Sequence, residues 1–340
     1  MFISFRDTLQ LLSKLTLNRV INAFLILGSY IISRITGNPK IQGLPISMAI
    51  EPTTACNLRC PECPSGLRSF TRPTGKLQLP RYQQLIDEIS SKTTYLTFYF
   101  QGEPYLNPDF LKMVNYARDR KMYTATSTNA HFLDDQQAEA TIKSGLDRLI
   151  ISIDGTTQET YESYRKEGQL SKVLEGTRNI IQKKKELKSA TPFVTWQFLV
   201  VKPNEHQIEE AEQLAREYGV DKIAFKTAQI YDYELGSPLI PTKDKYSRYR
   251  LQADGTYAVK NKLLDHCWKM WSSCVITWDG KVVPCCFDKD AHYTLGNTFE
   301  TSFEEIWNAQ AYVDFRSTLL KGRSEIEMCR NCTEGTKVWA

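Results

Sequence analysis

The chain has 340 residues, 41 % hydrophobic and 24 % charged, with a net charge of +4. This suffices for one large α/β domain and a small satellite, and the charge is too small for a nucleic-acid binder. Nine cysteines, an odd number, argue against a closed disulfide framework and for thiol–metal chemistry in a reducing, cytoplasmic compartment, with no cleavable signal segment expected.

The first predicted element is an amphipathic helix over 9–35. Leu17, Val20, Ile21, Phe24, Leu27, Ile31 and Ile35 fall on one face, with Lys14, Asn18, Asn22, Ser29 and Ser33 opposite. Gly37 and Pro39 end it. Its densest apolar run, 20–32, is shorter than the ~20 residues of a membrane span. Such a helix either lies on a membrane surface, here the inner membrane face, or packs against protein.

From 47 onward, strand-like runs at 47–51, 95–100, 122–127, 148–153, 194–201 and 222–226 alternate with helical stretches at 81–91, 108–118, 134–144, 170–188 and 205–218. Strands alternating with helices predict βαβ units and a parallel sheet, so a full or partial (β/α)6 barrel is expected. Gly236, Pro238 and Pro241 mark a linker. Beyond it, Asp279-Gly280 predicts a hairpin between 275–278 and 281–283, followed by a short helix over 302–309. The expected divisions are 1–42 for the N-terminal helix, 43–234 for the barrel, 235–259 for the linker and 260–340 for a small cysteine-rich domain. So little apolar content calls for a staple.

The motifs fall at the carboxyl ends of predicted strands, the face on which barrel active sites are built. After the first strand comes Glu51-Pro-Thr-Thr-Ala-Cys56-Asn-Leu-Arg-Cys60-Pro-Glu-Cys63. Three thiolates so close suit an iron–sulfur cubane with one open iron; no fourth local ligand completes a zinc site. The second strand ends in Gln101-Gly102-Glu103-Pro104, where glycine permits close backbone approach and a carboxylate can pair with an ammonium. The third ends in Ser127-Thr128-Asn129 and the fourth in Ser152-Ile153-Asp154-Gly155. Arg165 reads either as a carboxylate-gripping fork or as a surface loop arginine. Asn204, after the fifth strand, reads as a helix N-cap. By spacing alone, the C-terminal cysteines fit a four-cysteine zinc staple as well as a cluster.

The Cys-x3-Cys-x2-Cys loop, with the segments that follow it, resembles the radical S-adenosylmethionine (SAM) superfamily. The segments at 279–285, 295–297 and 305–308 and the closing Cys329-x2-Cys332 resemble that superfamily's SPASM or twitch domains. The likeness spans 47–339. It implies a partial barrel with a C-terminal twitch-type domain, a [4Fe–4S] cluster on Cys56, Cys60 and Cys63, and SAM held near Gly102, Glu103, Pro104, Ser127, Asn129, Asp154 and Arg165. It further implies one auxiliary [4Fe–4S] cluster on Cys267, Cys285, Cys329 and Cys332, with Cys286 as a substitute for Cys285 and Cys274 spare. Glu62 and Gln101 depart from the family pattern, which more often has an aromatic and a glycine there. The expected activity is reductive SAM cleavage and hydrogen abstraction, giving net oxidation of a small-molecule, glycan or lipid-linked substrate. Flavodoxin or ferredoxin is the expected electron donor, and no nucleic acid is involved. A membrane-surface helix would favour the lipid-linked substrate. A peptide-modifying enzyme is the alternative; a non-catalytic iron–sulfur or zinc-stapled protein is the reading from another class.

Overall fold

The structure is a computed structural model describing residues 5–335; the outermost residues of the first and last expected divisions lie outside it. In chain order the elements are α1 (Phe5–Leu12), α2 (Leu17–Thr36), β1 (Ser47–Ile50), α3 (Pro64–Leu67), α4 (Leu79–Ile89), β2 (Tyr95–Thr97), α5 (Phe110–Asp119), β3 (Tyr123–Thr128), α6 (Asp135–Lys143) and β4 (Arg148–Ser152). There follow α7 (Gln158–Tyr164), α8 (Leu170–Glu186), β5 (Phe193–Val200), α9 (Ile208–Tyr218), β6 (Lys222–Thr227), β7 (Tyr249–Leu251) and β8 (Tyr257–Val259). The chain ends through α10 (Lys269–Ser272), β9 (Ser273–Ile276), β10 (Val282–Val283), α11 (Phe303–Asn308), α12 (Gln310–Gly322) and α13 (Glu327–Arg330).

Strands β1 to β6 pair in sequence order, all parallel, as crossover helices demand. Met48, Ile50, Leu96, Leu149, Ile151, Val194 and Trp196 are fully buried under the helical layer. This is the expected partial barrel, opened beyond β6. The C-terminal hairpin does not stand apart from it. β9 pairs parallel to β1 over Ser47–Ile50, and β10 runs antiparallel to β9, so the sheet order is β10-β9-β1-β2-β3-β4-β5-β6. The stretch read as a linker contains the separate hairpin β7–β8.

The N-terminal helix is two helices rather than one. Thr16 caps α2 by accepting from the Arg19 backbone N–H, which breaks the periodic stretch after Leu12. Gly37, at φ +68°, closes α2 where expected. Both helices cross the amino end of the barrel. Asp7 bonds Tyr123 and Arg148, the first residues of β3 and β4, and Arg19 donates to the carbonyls of Ser90, Arg120 and Lys121 just ahead of β2 and β3.

Candidate active site

At the opposite end, the loop after β1 carries Cys56, Cys60 and Cys63 into a cavity of about 180 Å³. Two devices hold the loop. The buried Glu51 carboxylate takes a two-pronged grip from Arg72 and a backbone N–H from Trp278, tying β1, the segment after α3 and the C-terminal hairpin together. Gly66, in α3, lies so close beneath the loop that a Cβ there would stand 2.6 Å from the Cys60 backbone nitrogen.

The turn after β2 locks onto the same loop. Gly102 has φ +76°, and a Cβ on it would stand 2.2 Å from the Thr53 carbonyl oxygen. Its N–H donates to Ser65 Oγ at 2.9 Å, and the Glu103 N–H to the Ala55 carbonyl at 2.8 Å. The Glu103 carboxylate is 2 % exposed and accepts from Thr128 Oγ1 at 2.7 Å and the Asn129 N–H at 2.8 Å. Burial pushes this carboxyl up to about 7, against the pull of those bonds.

The remaining expected residues divide. Ser127, Asn129 and Arg165 line the cavity with the three cysteines, Gly102 and Glu103. Asn129 Nδ2 also donates to Asn57 Oδ1 at 2.7 Å. Asp154 and Pro104 do not line it. Asp154 is fully buried; it accepts from Arg165 Nε and, at 2.7 Å, from the Leu199 N–H. It therefore aims Arg165 instead of facing a ligand. Pro104 is buried at the start of a short 3-10 turn that fixes Glu103. Arg165 is no surface arginine: Nη1 lies 3.7 Å from Cys60 Sγ. Asn204 does not cap a helix. Its side chain accepts from the Val201 N–H and donates to the carbonyls of Asp154 and Leu199, stitching the ends of β4 and β5 together. Ser152, which opens the motif read at the end of the fourth strand, also lines the cavity, as do Ser65 and Tyr164, which nothing in their sequence surroundings singled out.

In the C-terminal segment, Cys267, Cys285, Cys329 and Cys332 line one enclosed space. Cys286 is exposed and absent from that lining, and Cys274 is buried within β9. The 1 %-exposed Arg323 places Nη2 3.1 Å from Cys332 Sγ, a cation set against thiols. Glu62, the residue before Cys63, accepts from the Tyr231 N–H at 3.0 Å. Beside it a cleft of about 530 Å³ opens between α3, the segment after β6 and the loop after β10, bordered by Pro64, Tyr231, Tyr233, Lys289 and Asp290.

Residues 50–218 match the radical SAM superfamily, and residues 267–333 match SPASM, an iron–sulfur cluster-binding domain. The chain is 25 % identical to the PqqA peptide cyclase of Gluconobacter oxydans over 87 % of its own length and 84 % of that protein. It is equally identical to the AdoMet-dependent heme synthase of Methanosarcina barkeri, over 85 % and 91 %. Among solved structures, SuiB of Streptococcus suis bound to the precursor peptide SuiA superposes with a TM-score of 0.59 at 14 % identity, over 95 % of this chain and 78 % of that one.

These matches bring a [4Fe–4S] cluster with SAM and an auxiliary iron–sulfur cluster, and the donor sets fit both. No three His, Cys, Asp or Glu side chains among the described residues converge on one point that could hold a single ion. A lone zinc needs its donors about 2.3 Å from one centre. A cubane takes each thiolate on a different iron, so thiols ringed around a space suit it. Burial pushes the Cys56 thiol up to about 12 and that of Cys329 up to about 11. These thiols are therefore protonated at neutral pH until a metal displaces their protons.

Proposed function

We propose that this chain, which belongs to the radical SAM superfamily and ends in its iron–sulfur SPASM domain, abstracts a hydrogen atom from a peptide. A [4Fe–4S] cluster held by Cys56, Cys60 and Cys63 would supply the one-electron reduction that cleaves SAM and so the hydrogen-abstracting chemistry. The chain's own residues bind, orient and shield. Cys56, Cys60 and Cys63 hold the cluster, Arg165 is aimed into the cavity by Asp154, and Glu103 receives the ammonium of SAM. Cys267, Cys285, Cys329 and Cys332 hold the auxiliary cluster. Flavodoxin or ferredoxin is a suitable electron donor.

The observation that carries the peptide reading is the open cleft beside the cluster loop. Its aromatic, cationic and acidic border offers partners for a polypeptide's backbone and side chains, and its edge begins at Pro64, next to Cys63. The PqqA cyclase and the peptide-bound SuiB support it. The expected oxidation of a small molecule, glycan or lipid has less support, although the heme synthase keeps non-peptide chemistry within the family's range. The test adds fractions of a cell extract to the reduced enzyme with SAM. The peptide fraction should raise 5′-deoxyadenosine release and lose that effect after protease treatment. Stimulation by a lipid or sugar fraction alone would contradict the reading.

The role of Glu103 has its own signature. Its carboxyl is raised to about 7, so it holds a proton below that pH and is ionised above it. Only the ionised form pairs with an ammonium. SAM affinity should therefore fall by about tenfold per pH unit below pH 7. Glu103→Gln should remove that dependence and cost about 1.5–3 kcal/mol of binding, without loss of iron. Titration calorimetry showing unchanged affinity would confine Glu103 to holding the turn.

A further inference from the structure

The amphipathic helix is mounted with its polar side inward. Soluble proteins turn a helix's apolar stripe toward their core. Here the side chains that α2 buries are Arg19, Asn22, Ile26, Ser29, Tyr30 and Ser33, four of them polar, with Tyr30 packed on Trp268 and Trp271 of the C-terminal segment. Asn22 exchanges bonds with Leu44, accepting from its N–H and donating to its carbonyl, and Arg19 is spent on backbone carbonyls. The apolar stripe points out: Leu17 is 75 %, Phe24 69 % and Ile35 79 % exposed. α1 repeats the pattern, with Asp7 buried and Phe5, Leu9 and Leu12 exposed. Most large apolar side chains left exposed among the described residues lie between Phe5 and Ile35. A continuous patch of this kind marks an interaction surface.

Two observations choose its occupant. α2 is the helix long and apolar enough to cross a membrane by length and composition, but its polar side is fastened to the barrel end, which leaves it only the interface plane. Along the segment itself the exposed charge has one sign. Between Asp7 and Glu51 the sequence contains no acidic residue, both of those carboxylates are buried, and Arg6, Arg34 and Lys40 are exposed. A second copy docking on the same face would bring these cations against a segment with no exposed carboxylate to receive them; an anionic lipid surface receives them directly.

We infer that α1 and α2 dock the amino end of the barrel onto an anionic lipid bilayer and leave the cysteine-lined end facing water. The helices bond to residues at the starts of the strands, whereas the cavity and the cleft lie at strand ends. Membrane attachment therefore does not deliver a lipid-linked substrate to the site, contrary to the expectation from sequence, and the substrate arrives from the aqueous side.

The test uses the full-length holoenzyme under anaerobic conditions with vesicles of phosphatidylglycerol and phosphatidylcholine. The protein should sediment with these vesicles, bind pure phosphatidylcholine far less, and cleave SAM at the same rate bound or free. A Leu17→Glu/Phe24→Glu variant should bind at least tenfold less and keep its SAM cleavage. Failure of the wild type to sediment, or equal binding by the variant, would overturn the inference. So would a dimer that the same substitutions dissociate, in a protein that ignores lipid. Loss of SAM cleavage on vesicles would overturn the orientation.

Discussion

A Cys60→Ala variant, reconstituted and reduced without oxygen, is expected to release no 5′-deoxyadenosine above background. Cys60 is 6 % exposed at the floor of the cavity, with Arg165 3.7 Å from its sulfur. Removing that thiol leaves two donors where a cubane needs three to remain with one iron open. The loss should be selective. Cys267, Cys285, Cys329 and Cys332 line a separate space within the C-terminal segment, so about four of about eight irons per chain should remain. The C-terminal hairpin should stay paired to β1, because Ser47 to Ile50 carry that pairing. Iron analysis and a chromatographic assay on one sample check both halves. SAM cleavage at the wild-type rate, or loss of all iron, would contradict the assignment of two separate sites.

An Arg72→Ala variant should lose about 3–5 kcal/mol of stability, because it leaves a buried carboxylate without its cation. Glu51 is fully buried, and Arg72 meets both of its oxygens. The Arg72 guanidinium also lies over the rings of Phe70 and Phe100. Burial already pushes the Glu51 carboxyl up despite Arg72; without its partner it rises further. The folded variant would then hold a proton that the unfolded chain releases, so its stability should fall as pH rises and recover in mild acid. A Glu51→Gln/Arg72→Met double variant, with no unpaired charge, should regain much of the loss. Urea unfolding at two pH values measures all of this. An Arg72→Ala midpoint equal to the wild type would show that the pair does not hold the loop.

The alternation of strands and helices was legible because each βαβ unit is written in local periodicity. The gathering of Cys56, Glu103 and Asn129 at strand ends follows from that topology alone. Other features depend on contacts distant in the chain. Arg72 carries no local sign of its role, since its meaning lies in Glu51 and Trp278. Asn204 looks like a cap because it precedes a helix, but its amide is spent on β4 and β5. The break at Thr16 is a single capping residue inside an otherwise continuous apolar pattern. The hairpin β9–β10 is locally plain; its pairing with β1, more than two hundred residues earlier, is not. Substrate class was the least legible feature, because the cleft border is assembled from α3, the segment after β6, the loop after β10 and α13, which are far apart in the chain.

The most direct test of the account is a single anaerobic incubation. Wild-type protein, loaded with iron and sulfide and reduced by dithionite, is mixed with SAM and followed by mass spectrometry. The account predicts 5′-deoxyadenosine and methionine in equal amounts, increasing with time. A brown, iron-loaded and fully reduced protein that leaves SAM intact would contradict it.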